Sequence, residues 1–227
     1  YTVWEHSKRA LEYAASKSYS LEVRLAALLH DIGKPRTKGG EGKYATFYNH
    51  EMVGAKMVGV ALTRLKFPKY VIQDVMHLVQ YHMFYYNVGE ISDAGVRRFI
   101  RRVGIEYIDD LIKVREADRI GSGVPKAVPY KIRHLLFMID KVRKDPISTK
   151  MLKVNGQDLM EVGMKPGPRM GWILNVLLEE VIDNPQANVQ EELLKRAQEL
   201  SNLSDAELEA LSKKARKTKE EAQGEAE

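Results

Sequence analysis

His30 and Asp31 stand together in Leu25-Ala26-Ala27-Leu28-Leu29-His30-Asp31-Ile32-Gly33-Lys34. An imidazole and then a carboxylate follow a run of good helix formers, and Gly33 and Pro35 stop that run at once. His30 shares a helical stripe with Val23, Ala26 and Ala27, at spacings of seven, four and three. An imidazole and a carboxylate buried there need a partner, because desolvating either alone is costly. A divalent cation is the cheapest partner they can share. The competing reading is a His⁺ paired with its own neighbour at a helix C-terminus, where the dipole favours positive charge.

Further nitrogen and oxygen donors lie along the chain. His6, in Val3-Trp4-Glu5-His6, opens the first predicted helix, and His50, in Phe47-Tyr48-Asn49-His50-Glu51, opens another. His82 follows Leu78 by four and Val75 by seven, so it shares their apolar face. Asp118 follows Val114 by four and Leu111 by seven, an unusual place for a residue almost never buried unpaired. Taken singly, each also suits a plainer role: a cap, a surface histidine, or an aspartate salt-bridged to Arg115. Taken together, these groups on apolar faces of successive helices point to one shared centre.

Apolar residues recur at three and four almost everywhere, and β-branched alternation is scarce. The pattern predicts an all-α protein with helices over about 3–16, 21–33, 48–65, 68–85, 92–103, 105–121, 128–143, 155–162, 167–183, 187–201 and 204–222. Ser20, Asn49 and Ser92 supply N-cap signals. Pro35 to Tyr44 reads as a flexible basic loop beside the His-Asp pair. The break around Pro146 sets the expected division: residues 1–144 form a helical bundle and 145–203 a small helical C-terminal domain. Residues 204–227, rich in Ala, Glu and Lys, read as a charged, flexible tail. Lys165-Pro166-Gly167-Pro168-Arg169 is a rigid turn into a helix whose start could meet a phosphate or simply carry proline in its first turn.

The composition excludes several classes. The 227 residues are 44% hydrophobic, enough for a core, and contain no cysteine. Disulfides, thiolate metal sites and a cysteine nucleophile are therefore out, and a reducing cytoplasm is the expected compartment. No continuous apolar run approaches the ~18 residues of a spanning helix, so no membrane association is expected. No secretory leader is visible. Basic residues outnumber acidic ones, 36 to 31. The resulting pI of about 9.2 suits mild attraction to phosphates or nucleic acid as well as an ordinary protein surface. Nothing in the sequence sets an oligomeric state.

The order His, His-Asp, His, His, Asp on successive helices resembles the HD superfamily of metal-dependent phosphohydrolases. More narrowly, the chain is similar to the HD portion and C-terminal region of bacterial tRNA nucleotidyltransferases and poly(A) polymerases. The matching stretches are Val3 to His6, Leu25 to Pro35, Phe47 to Gly54, Arg64 to Pro68, Leu78 to Met83, Arg97 to Ile100 and Glu116 to Arg119. Asn155 to Met160, Lys165 to Pro168, Gly171 and Ile173-Leu174 follow. One departure matters. The catalytic head of that family, a Gly-Ser turn followed by paired aspartates, has no counterpart here; Gly121-Ser122-Gly123 leads only to Val124-Pro125-Lys126. A chain opening at Tyr1 fits a fragment or a stand-alone HD protein alike, and in either case this polypeptide is not expected to add nucleotides by itself.

The resemblance implies an HD-domain helical bundle with a small C-terminal helical appendage. It also implies one or two divalent ions. His6, His30, Asp31 and Asp118 hold one, and His50 and His82 hold a second with Asp31 bridging. Nitrogen and oxygen donors admit Mn, Fe, Co, Ni and Zn, with Mg alone disfavoured by the imidazoles. Asp31, Lys34 and Glu51 are the expected catalytic residues, Glu51 as a proton carrier. Lys34, Arg98 and Arg119 are the expected phosphate contacts. Arg97, Arg98, Arg101 and Arg102 form two pairs spaced by four, and such pairs repel unless an anion or ordinary acidic partners lie between them. His77 and His134 read as structural. The expected partner is a phosphorylated nucleotide or a tRNA, attacked as a 2′,3′-cyclic phosphate or phosphomonoester. The alternatives are the tRNA-binding body of a nucleotidyltransferase or poly(A) polymerase whose head lies elsewhere, and a degenerate bundle used structurally.

Overall fold

The computed structural model describes residues 2–125 and 128–217. Among them every regular element is helical; the only extended pairing is an isolated bridge between Gly39 and Thr46. No helix among the described residues is long and apolar enough to cross a membrane. The chain divides into two compact units, Tyr1–Phe84 with Ile105–Arg133, and Tyr85–Gly104 with His134–Glu227.

The first unit contains α1 (Val3–Ser16), α2 (Leu21–Leu29), the single turn α3 (Lys34–Thr37), α4 (His50–Arg64) and α5 (Lys69–Tyr81). The chain leaves this unit for α6 (Asp93–Val103) and returns for α7 (Ile108–Gly121). α1 starts on a capping box, in which Thr2 accepts from the Glu5 amide while the Glu5 carboxylate accepts from that of Thr2. Ser20 caps α2 by accepting from Val23. α1 packs between α2 and α7, α2 also meets α5, and α4 lies along α5. A seam of Ala10, Ala14, Ala27 and Ala117 lets these axes approach closely. α2 ends at Leu29, earlier than the expected 33, and the expected basic loop begins with the helical turn α3.

The second unit contains α6, most of α8 (Tyr130–Val142), α9 (Gly156–Glu161), α10 (Pro168–Asp183), α11 (Gln190–Ser201) and α12 (Asp205–Lys217). Its core gathers Leu159, Ile173, Leu177, Leu178, Val181, Ile182, Leu193, Leu200 and Leu208. Residues 85–104 pack with the later part of the chain, a division that differs from the expected boundary near 144. Arg97 is the reason in part: buried, it donates to Asp145 at 2.7 Å and to the Ile182 carbonyl at 2.8 Å. Part of the expected tail, Asp205–Lys217, is helical. α12 packs on α10 and buries Leu208, Ser212 and Ala215. Residues 218–227, the rest of that expected tail, lie outside the described residues.

Candidate metal centre

The cluster in the first unit forms at helix ends. His30 is the C-cap of α2, His82 the C-cap of α5, and His50 the first residue of α4. His6 lies in the first turns of α1 and Asp118 in the last turn of α7. Two glycines let these ends meet. A Cβ on Gly33 would lie 2.1 Å from the His50 carbonyl oxygen, so only glycine lets the chain after Asp31 touch the start of α4. A Cβ on Gly121 would lie 2.9 Å from the His6 carbonyl oxygen, which holds α7 close to α1.

Three of the histidines are oriented alike. Nδ1 of His30 donates to the Ala27 carbonyl at 2.9 Å, Nδ1 of His50 to Phe47 at 2.9 Å, and Nδ1 of His82 to Val79 at 2.7 Å. Each acceptor is three residues earlier in the chain. A carbonyl can only accept, so each Nδ1 carries a proton and a neutral ring presents a lone pair on Nε2. The buried Nε2 atoms of His50 and His82 have no hydrogen-bond partner. This is the arrangement expected of metal-ligating histidines.

The inward atoms fall into two groups. His6, His30 and Asp118 offer one set of donor atoms within 4.8 Å of one another, and Asp31, His50 and His82 offer another. Asp31 faces both. Its Oδ2 is 3.4 Å from His30 Nε2 and 3.6 Å from His6 Nε2, while its Oδ1 is 3.4 Å from His50 Nε2 and 3.9 Å from His82 Nε2. His6 Nε2 is also 3.2 Å from Asp118 Oδ1 and 2.9 Å from His30 Nε2. Lone pairs turned toward carboxylate oxygens repel unless a proton or cation lies between them. The donor chemistry and the orphaned Nε2 atoms therefore fit one or two divalent ions.

The electrostatics call for positive charge among these groups, which a protonated imidazole or a cation supplies. Burial pushes the Asp31 carboxyl up, but the adjacent imidazoles of His30 and His50 and the hydrogen bond from Lys34 outweigh it and hold Asp31 well below the usual carboxylate range. Burial likewise raises Asp118, and His6, His30 and Arg115 bring it down. The Asp118 hydrogen bond raises His6. Burial lowers His50, yet Asp31 and the Phe47 carbonyl raise it on balance. His82 is pushed down by burial and by the charge of His30.

Lys34 Nζ donates to Asp31 Oδ2 at 2.7 Å. Arg115 takes Asp118 Oδ2 at 2.7 Å and leaves Oδ1 to the histidines, so the metal and salt-bridge readings of Asp118 coexist. A cleft of about 360 Å³ opens over the cluster, lined by His6, Asp31, Lys34 and Asp118 with Thr2, Val3, Phe47 and Ser122. The last four escaped sequence reasoning. Their signal was proximity along the chain: Val3 lies one turn before His6 and Phe47 three residues before His50.

Three expected contacts are not among the residues lining the cleft. The Glu51 carboxylate lies 3.6 Å from His50 Nδ1, the nitrogen turned away from Asp31. Arg98 belongs to the second unit and donates to Glu179 and, at 2.7 Å, to Asp183. With Arg101 also bound to Glu179, carboxylates relieve the arginine stripe. Arg119 is half-buried beside Asp118 and is not among the side chains lining the cleft. His77 stacks on Tyr107 with centroids 4.0 Å apart, and Tyr86 meets His134 Nδ1.

Comparison with known proteins gives a consistent picture. The HD domain model matches residues 3–122. The chain is 34% identical over 181 residues to a CC-adding tRNA nucleotidyltransferase of Thermus thermophilus, covering 78% of this chain and 40% of that protein. It is 32% identical over 186 residues to an A-adding tRNA nucleotidyltransferase of Deinococcus radiodurans, covering 78% and 42%. A Multifunctional CCA protein of Hahella chejuensis is 42% identical over 77 residues, covering 34% and 18%. The chain thus spans about two fifths of the length of the first two relatives. No solved structure matches.

Proposed function

The chain belongs to the HD domain family, and on that premise we propose that it is a metal-dependent phosphohydrolase. Its substrate is a phosphoester of a nucleotide or a tRNA end, as a 2′,3′-cyclic phosphate or a phosphomonoester. The observation that carries this reading is the division of Asp31, one carboxylate oxygen facing His6 and His30 and the other facing His50 and His82.

His6, His30, Asp31 and Asp118 would hold one divalent ion, and His50 and His82, sharing Asp31, would hold a second. Bound there, such an ion would supply an acidified water for attack on phosphorus and a positive pole for the phosphoryl oxygens. Nitrogen and oxygen donors favour Mn, Fe, Co, Ni or Zn over Mg. Three rings are already anchored through Nδ1, so their inward nitrogens need no reorganisation. Lys34 offers its ammonium to a phosphoryl oxygen from the cleft wall, and Arg119 adds positive charge from α7. Lacking cysteine, the chain suits a reducing cytoplasm.

A second reading rests on the relatives. Two are tRNA nucleotidyltransferases by name, and their matches of 181 and 186 residues run well beyond the 3–122 span. They favour a role as the tRNA-binding body of a nucleotidyltransferase whose catalytic head lies outside this chain. Both roles can coexist. Turnover separates them: protein loaded with Mn²⁺, Co²⁺ or Ni²⁺ is given adenosine 2′,3′-cyclic monophosphate and an aryl phosphate. We expect hydrolysis by the wild type and its loss in Asp31→Ala. No hydrolysis by the wild type refutes the first reading, and tRNA binding that weakens with salt then supports the second.

A further inference from the structure

The cleft over the cluster has an apolar edge. Phe47 and Val3 line it beside His6, Asp31, Lys34 and Asp118. The backbone of Phe47 is committed, because its carbonyl accepts from His50 Nδ1. Its half-buried side chain is not needed for that bond. The Lys34 ammonium lies 5.8 Å from the centroid of the Phe47 ring and 2.7 Å from Asp31 Oδ2. One cation therefore touches both the shared carboxylate and an aromatic face. Exposed Tyr44 and Tyr48 extend the aromatic character of this segment.

A phosphate that meets Lys34 brings its ester group to this edge. Aromatic rings stack with centroids ~4.5–7 Å apart, a separation of the same order as that between Lys34 and the ring. Every nucleobase has a π face, so stacking on one side chain accepts any base while passing over aliphatic groups.

We infer that Phe47 is a specificity-determining residue, whose ring stacks on the nucleobase of the ester whose phosphate meets Lys34. The inference rests on the phosphohydrolase reading and assigns to this one residue the choice of nucleoside esters over small aliphatic ones.

Calorimetry on the Mn²⁺-loaded protein tests it, with adenosine 3′-monophosphate and inorganic phosphate titrated separately. Phe47→Ala is expected to weaken the nucleotide about ten-fold more than it weakens phosphate, equivalent to ~1.4 kcal/mol. Phe47→Trp restores the preference. Phe47→Leu keeps apolar bulk without a π face and does not. Equal weakening of both ligands by Phe47→Ala, full restoration by Phe47→Leu, or a wild type that binds no nucleotide overturns the inference. Thermal melts establish that each variant folds. Cyclic-nucleotide hydrolysis that continues alongside equal weakening removes the role of Phe47 and leaves the phosphohydrolase standing. A ten-fold nucleotide preference without any hydrolysis keeps Phe47 and removes the phosphohydrolase.

Discussion

Gly33→Ala puts the architecture of the cluster to a test of sign. Gly33 has φ −76° and ψ −23°, a conformation alanine adopts freely. On backbone grounds alone the substitution should stabilise the protein by ~0.4–1 kcal/mol, by restricting the unfolded chain. The packing says the opposite. The new Cβ would lie 2.1 Å from the His50 carbonyl oxygen and 2.8 Å from the Gly54 amide nitrogen, both backbone atoms that cannot swing aside. Ordinary contact begins near 3.4 Å, so that oxygen must retreat by about 1.3 Å. Overpacking of this kind costs ~1–3 kcal/mol, and in a chain of this size lowers Tm by roughly 2–12 °C. Because His50 opens α4, its ring moves with the backbone, and metal–ligand distances tolerate only ~0.2 Å. Scanning calorimetry of the apo-protein should show the loss of Tm, and elemental analysis of the reloaded variant should show less metal than in the wild type. A Tm equal to or above that of the wild type refutes the close-approach argument outright.

Other substitutions grade the same reasoning. Gly121→Ala meets the His6 carbonyl at 2.9 Å and the Ala10 amide at 3.1 Å, a milder conflict, so its Tm should fall by less than that of Gly33→Ala in the same scan. Arg97→Ala strands Asp145 and the Ile182 carbonyl and should cost ~1–3 kcal/mol in urea unfolding; a change under 0.5 kcal/mol would show that water replaces the guanidinium. Raising Mn²⁺ to about a hundred times its Kd should add ~2.7 kcal/mol, a rise of roughly 5–11 °C in Tm. His82→Ala should shrink that shift, and an identical shift in both proteins would place the ion elsewhere.

The parts of this architecture legible in sequence were those written in local periodicity. The stripe of Val75, Leu78 and His82 put an imidazole at the buried end of α5, and Val114 with Asp118 did the same for a carboxylate on α7. Pairings between residues far apart in the chain were not legible. Arg97 finds Asp145 and Arg98 finds Glu179, 48 and 81 residues away, and these contacts help draw 85–104 out of the first unit. Periodicity could not supply them, because any of the many acidic residues would have served. The tail misled through composition: Leu208 and Ala215 suffice to seat α12 despite its charge. Glu51 shows a finer limit, since spacing placed it beside His50 without saying which ring nitrogen it would meet.

The anchors of His30, His50 and His82 are main-chain oxygens three positions back, at Ala27, Phe47 and Val79. Replacing the side chain of any of those three leaves its oxygen in place. Drift in the surrounding sequence can therefore change size and polarity around these rings without turning them. Lasting damage to their aim has to come through the backbone itself, by a proline, an insertion, or a bulky group wedged where two helix ends touch.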